Sequence, residues 1–295
     1  MQKILDQIAA DCRAVAAEGK VADYIPALAR IDPSKFALVV RTADGQEFST
    51  GDADEPFSIQ SISKLFTLAL AMEWVEDEIW ERVGREPSGM RFNSLIQLET
   101  EQGIPRNPFI NAGAIVIADA LVHRRPQIVG SFRTQMRLLS GNDAIQYNPE
   151  VHRSERVHGD LNRAIAYVLK AYGNMREDPQ ESVNAYFGFC ALAMSARDLA
   201  RAAMFLVCPQ SSEAACASGR HAARLRAIMR TCGLYDQSGE FAFRVGLPGK
   251  SGVGGGILVV QPNAFAAVAW SPPLDSYGNS VAGQAALEAL AQHLC

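Results

Sequence analysis

The run Phe57-Ser58-Ile59-Gln60-Ser61-Ile62-Ser63-Lys64, continuing through Leu65-Phe66-Thr67-Leu68-Ala69-Leu70-Ala71-Met72, decides how this chain is read. Apolar residues at Ile62, Leu65, Phe66, Ala69 and Met72 recur at the spacing of a buried helical stripe. Ser58 is placed to cap that helix, its hydroxyl accepting from a free first-turn amide. Ser61 and Lys64 stand three apart, so they share a helix face. Both lie near the positive end of the helix dipole, which favours alkoxide character on Ser61. A serine with an amine one turn away pairs a nucleophile with a base.

Lysine is scarce in this chain, found only at positions 3, 20, 35, 64, 170 and 250. One of these opens a second motif, Lys250-Ser251-Gly252. S-x-x-K followed far downstream by K-[ST]-G is the order found in serine acyl-transfer enzymes, where the second triplet lies on a strand facing the nucleophile. Gly254-Gly255-Gly256 follows at once, and the lack of a Cβ lets such a strand come close to a helix. The glycines do not open a helix after a strand, so a nucleotide-binding reading is poor.

Moving outward, 295 residues with 48% hydrophobic and 20% charged content make an ordinary globular chain with material for a large core. A net charge of −4 without a basic stripe argues against nucleic acid. The apolar runs near 65–72 and 112–122 are too short to span a bilayer, and the N-terminus lacks a signal-peptide core, so we expect no membrane association and a cytoplasmic protein. The 6 cysteines form no C-x-x-C pair and read as reduced thiols. No H-E-x-x-H occurs, and we expect no metal.

Residues 3–18 read as an amphipathic helix stopped by Gly19. Phe36 to Val40 reads as a buried strand, Asp44-Gly45 as a hairpin turn, and 46–50 as the returning strand. From 61 to about 225 the pattern is almost wholly helical, with Ser195 and Asp198 forming a capping box. Phe241 to Val245, Gly255 to Val260 and Phe265 to Trp270 read as strands, and 280–294 as a closing helix. We therefore expect an α+β fold of one domain, 1–295. An antiparallel α/β layer comes from 1–60 and 226–295, and a helical lobe from 61–225 is inserted between them.

Taken together, the motifs resemble the bacterial-type glutaminases, which share the β-lactamase and penicillin-binding-protein fold. The resemblance rests on long blocks: Gly19 to Pro26, Phe57 to Lys64, Pro87-Ser88-Gly89, Gly103 to Ile115, Cys232 to Asp236, Ser238 to Ala242 and Leu247 to Gly256. It implies hydrolysis of L-glutamine to L-glutamate and ammonia without metal or organic cofactor, by a homo-oligomer, a dimer or tetramer. It implies Ser61 as nucleophile and Lys64 as its base, with an oxyanion hole from the amides of Ser61 and Val253. Tyr24, Tyr186 and Tyr235 match family positions, and either Tyr235 or Tyr186 could relay a proton to the leaving ammonia. Asn111, Glu155 and Asn162 match substrate-binding positions. Glu155 suits the substrate α-ammonium, and the seven-residue gap to Asn162 is two turns on one face of a helix. Ser182-Val183-Asn184 fits the middle S-x-N triplet of β-lactamases in letters only. β-Lactam chemistry on the same scaffold and a non-catalytic amino-acid-binding module are the competing readings.

Overall fold

The computed structural model describes residues 1–208 and 219–294. Its strands are β1 (Ala37–Thr42), β2 (Glu47–Gly51), β3 (Phe57–Ser58), β4 (Gln146–Tyr147), β5 (Leu192–Met194), β6 (Gly249–Ser251), β7 (Gly256–Gln261) and β8 (Phe265–Trp270). Five of them form an antiparallel sheet in the order β2-β1-β8-β7-β6, so strands from both ends of the chain interleave. Helices fill most of the interval between β3 and β6, which makes the fold α+β.

Period-two alternation explains how the sheet is covered. Leu38, Val40, Ile257, Val259, Ala267 and Ala269 face one side and pack with Leu5, Ile8, Leu287 and Leu290 from the terminal helices Gln2–Cys12 and Val281–Leu294. Val39, Leu258, Val260, Val268 and Trp270 face the other side and join the core of the helical body. Strands buried on both faces read as continuous apolar runs, which is why β1, β7 and β8 were legible. The helix Ser63–Trp74 passes through that second core and is buried all round from Ser63 to Met72, not along a stripe only.

Several local expectations are corrected. Ser58 does not cap the helix: it is a β3 residue whose hydroxyl donates to the Cys190 carbonyl. The chain instead enters the helix through a 3-10 turn, Gln60–Ile62. The first helix ends at Cys12 and continues as a 3-10 helix, Arg13–Glu18, in which no residue is buried. Phe241 to Val245 belongs to a helix, Ser238–Val245: Phe241 and Val245 are buried one turn apart while Phe243 is exposed. Glu155 and Asn162 lie on two helices, Pro149–His158 and Asp160–Ala171. The break falls at Gly159, where a Cβ would lie 2.2 Å from the Phe187 ring. A three-stranded sheet, β3-β5-β4, was not anticipated, because strands of two or three residues carry no periodicity. Cys216 and Cys295 lie outside the described residues.

The hairpin turn between β6 and β7 presses on the entry to the helix Ser63–Trp74. A Cβ at Gly254 would fall 2.2 Å from the Ser58 carbonyl oxygen, and one at Gly252 2.7 Å from that of Ile59. Gly254→Ala is therefore expected to lower the free energy of unfolding by about 2 kcal/mol or more. Gly239→Ala, exposed in a helical turn with nothing within 4 Å of a Cβ, should raise it by about 0.5 kcal/mol. Urea unfolding of the two variants measures both, and equal effects would contradict the tight approach.

Candidate active site

Ser61 sits in the 3-10 turn, directly after Gln60, whose φ of 47° is left-handed and unusual for a residue with a side chain. Such strain persists only where the surroundings over-determine it. Here the neighbouring backbones do so. A Cβ at Gly252 would stand 3.2 Å from the Ser61 nitrogen, so the 252–256 turn lies directly on the serine. Trp270 locks that turn: its Nε1 donates to the Gly254 carbonyl at 2.9 Å, and its ring stacks on Phe57 at 4.7 Å. Among the described residues, neither the Ser61 nor the Val253 amide donates a hydrogen bond. Buried amides are almost always paired, so two free donors at one spot mark a place for an anion or oxyanion.

Lys64 follows one turn later and is buried. Its Nζ donates to Asn111 Oδ1 at 2.7 Å and to the Phe109 carbonyl at 3.2 Å. No carboxylate lies within ion-pair distance of it among the described residues. Asp52 and Asp54 pair with Lys35 and Arg197 instead. Burial brings the Lys64 amine down to about 8, with Cys190 and Glu155 drawing it weakly the other way. Lys250, from β6, is the second buried lysine. Its Nζ donates to the carbonyls of Gly233 (3.1 Å) and Ser251 (2.6 Å) and lies 4.8 Å from the centre of the Tyr235 ring. Burial, and then the positive charge of Lys64, push it well below the usual lysine range.

Asn111 begins the helix Asn111–Arg124 and connects three other site residues. Besides Lys64, its Oδ1 accepts from Tyr186 Oη at 3.2 Å, and its Nδ2 donates to Asn162 Oδ1 at 2.9 Å. The Tyr186 phenol proton is thus committed. That of Tyr235 is not: its oxygen is buried within electrostatic reach of the Ser61 and Ser251 hydroxyls, with no well-aligned hydrogen bond to either. Burial raises both phenols above their ordinary pKa. Tyr235 also adopts a left-handed φ of 53° and packs on Phe92.

Ser61, Asn111, Glu155, Asn162, Tyr186, Tyr24 and Val253 line one cavity of about 120 Å³. Lys64 and Tyr235 are not among the residues that line it. Burial raises the Glu155 carboxyl to about 7, offset in part by the Gln60 amide and by Lys64. Tyr24 is 56% exposed as a whole, and desolvation raises its hydroxyl well above an ordinary phenol. The cavity shares Tyr24, Phe92, Asn93 and Val253 with an outer vestibule of about 850 Å³. Sequence reasoning missed Gln60, Phe92, Asn93 and His158 as lining residues. Gln60 was findable beside Ser61. Phe92 and Asn93 lie in an irregular loop without periodicity. Ser182 is elsewhere, donating to Asp119, so the S-x-N triplet takes no part.

The arrangement can attack a carbonyl, hold the resulting oxyanion and grip a small polar molecule. Comparison with known proteins points the same way. The family model described as Glutaminase matches residues 19–295. A glutaminase of Paraburkholderia phytofirmans is 51% identical over 289 residues, covering 97% of this chain and 95% of that protein. One from Aeromonas hydrophila is 49% identical over 296 residues, covering 99% and 97%. Among solved structures, the probable glutaminase ybaS superposes with a TM-score of 0.94 at 36% identity, covering 99% of this chain and 96% of that one. A probable glutaminase of Bacillus subtilis complexed with 6-diazo-5-oxo-L-norleucine gives 0.85 at 31% identity, covering 97% and 92%.

Glu155 gives this site a stability signature. Its carboxyl titrates at about 7 when folded against 4.5 when free. The unfolded chain gives up that proton first, so stability falls as pH rises from about 4.5 through 7. Glu155→Gln removes the penalty. At pH 8 it should stabilise the fold by up to about 3 kcal/mol, at about 1.4 kcal/mol per pKa unit. At pH 4 the parent and the variant should unfold alike. Thermal unfolding across that range checks it, and parallel pH profiles would contradict it.

Proposed function

We propose, from the premise that this chain belongs to the glutaminase family, that it hydrolyses L-glutamine through a glutamyl ester on Ser61. The observation that carries this is a small cavity lined by Ser61 and Val253, whose amides donate no hydrogen bond among the described residues, with a buried lysine lacking a counter-ion one turn after that serine. Glu155 pairs with the substrate α-ammonium, whose charge holds the carboxylate ionised, while Asn111, Asn162, Tyr186 and Tyr24 grip the polar ends. Ser61 Oγ attacks the side-chain carbonyl carbon as its proton passes to neutral Lys64. The oxyanion takes the amides of Ser61 and Val253.

Collapse breaks the carbon–nitrogen bond. The nitrogen leaves as ammonia with a proton from Tyr235 Oη, which Lys64 replaces. Tyr235 is favoured over Tyr186 because its hydroxyl proton is uncommitted. Water then attacks the ester, gives its proton back through the same groups, and glutamate departs with Ser61 restored. No step needs a metal or an organic cofactor. Free thiols at Cys12, Cys190 and Cys232 support a reducing, cytoplasmic setting. A homo-oligomeric state, dimer or tetramer, rests on the family resemblance alone.

Ammonia release from glutamine is the test. Ser61→Ala should lower kcat by roughly 10³-fold or more, and Tyr235→Phe by about 10²-fold or more. Full activity in Ser61→Ala would overturn the mechanism. Because Lys64 must be neutral to accept a proton and titrates at about 8, kcat/KM should rise with pH toward a plateau near that value. A profile flat from pH 6 to 9 would exclude Lys64 as the base.

A further inference from the structure

The hydrogen bonds around Lys64 match the needs of an uncharged amine. Its Nζ has two acceptors, Asn111 Oδ1 and the Phe109 carbonyl. A neutral amine has two N–H groups and one lone pair, so both donors are satisfied. An ammonium would carry a full charge into a buried site that offers it no counter-ion among the described residues. With both N–H groups of the neutral amine engaged, its lone pair is left to accept a proton. The Asn111 side chain cannot turn freely, since its Nδ2 is held by Asn162 and its oxygen also accepts from Tyr186. Its backbone N–H donates to the Phe92 carbonyl at 2.8 Å, which fixes the start of its helix.

We propose that Asn111 is a positioning residue for Lys64, beyond any contact it makes with substrate: its carboxamide oxygen fixes the buried amine in place without bringing a negative charge to it. This rests on the glutaminase reading above and adds a second task for one residue of that site. The other groups facing Lys64 are Tyr186 and Cys190 from the helix Pro179–Cys190, Glu155 from the helix Pro149–His158, and Lys250 from β6. Of these, Glu155 supplies the one negative charge. A neutral amide at 111 therefore keeps a second carboxylate off the lysine, where an acid of the same shape would form an ion pair.

The experiment compares Asn111→Asp, Asn111→Ser and Asn162→Ser in the full chain, with glutamine turnover and inactivation by 6-diazo-5-oxo-L-norleucine measured from pH 5.5 to 10. Asn111→Asp is nearly isosteric and places a carboxylate on Lys64. It should move the acidic limb of kcat/KM, and of the inactivation rate, up by 1 pH unit or more, since an opposite charge this close typically shifts a pKa by about 1–3 units. Asn111→Ser withdraws the acceptor and should lower kcat by tenfold or more. Asn162→Ser, which does not touch Lys64, should raise KM with the limb in place. If Asn111→Asp keeps the parent limb and Asn111→Ser changes only KM, the inference is wrong. Should Asn111→Asp fail to fold, the kcat-against-KM split in Asn111→Ser decides alone. Absence of glutamine turnover in the parent chain would overturn the reading of the site itself, a distinct result.

Discussion

Backbone meets backbone where the turn between β6 and β7 lies on residues 58–62, and the site depends on that contact. Side chains at 252 or 254 would have to occupy space already filled by the carbonyls of Ile59 and Ser58. Because glycine stands at both positions, two segments about 190 residues apart come close enough for Ser61 and Val253 to line one cavity. Trp270 secures the contact from behind, with its indole N–H on Gly254 and its ring on Phe57. The same tryptophan is the last residue of β8, at the centre of the sheet, so the geometry of the turn is tied to the most buried layer of the protein.

Around this contact the chain buries groups that a stable core would avoid. Lys64, Lys250 and Glu155 are each withdrawn from water, and none makes an ion pair among the described residues. Two residues beside them, Gln60 and Tyr235, hold left-handed backbone conformations. Each of these features opposes folding. They are sustained by a sheet covered on both faces and by a helix, Ser63–Trp74, that runs through the larger core. Local rules broken at one place and compensated elsewhere mark a functional site. The same burial lowers the Lys64 amine to about 8 and raises the Glu155 carboxyl to about 7.

Much of this was legible in the residues, and the reasons differ by element. Strands β1, β7 and β8 announced themselves as apolar runs because both their faces are covered. The long helices showed their period, and the S-x-x-K and K-S-G motifs named the two ends of the contact. What escaped was whatever depends on tertiary neighbours. Phe241 to Val245 is apolar at alternate positions in a stretch that the fold makes helical, with Phe243 left exposed. Ser58 has the chemistry of a cap, but the carbonyl of Cys190, far along the chain, takes its hydroxyl. Gly159, where the helix breaks, lies against the Phe187 ring, a neighbour that no local pattern reveals. That Asn111 accepts from the Tyr186 hydroxyl is likewise a tertiary contact invisible in the sequence.

Chemical quench of the protein during turnover examines the central claim most directly. Mixing with L-glutamine, stopping in acid within milliseconds to seconds and mapping peptides by mass spectrometry should reveal a glutamyl adduct on the peptide holding Ser61. The adduct should form before ammonia release reaches its steady rate and disappear as substrate is exhausted. Steady ammonia release with no adduct on Ser61 at any time, or an adduct carried by another residue, would contradict the account.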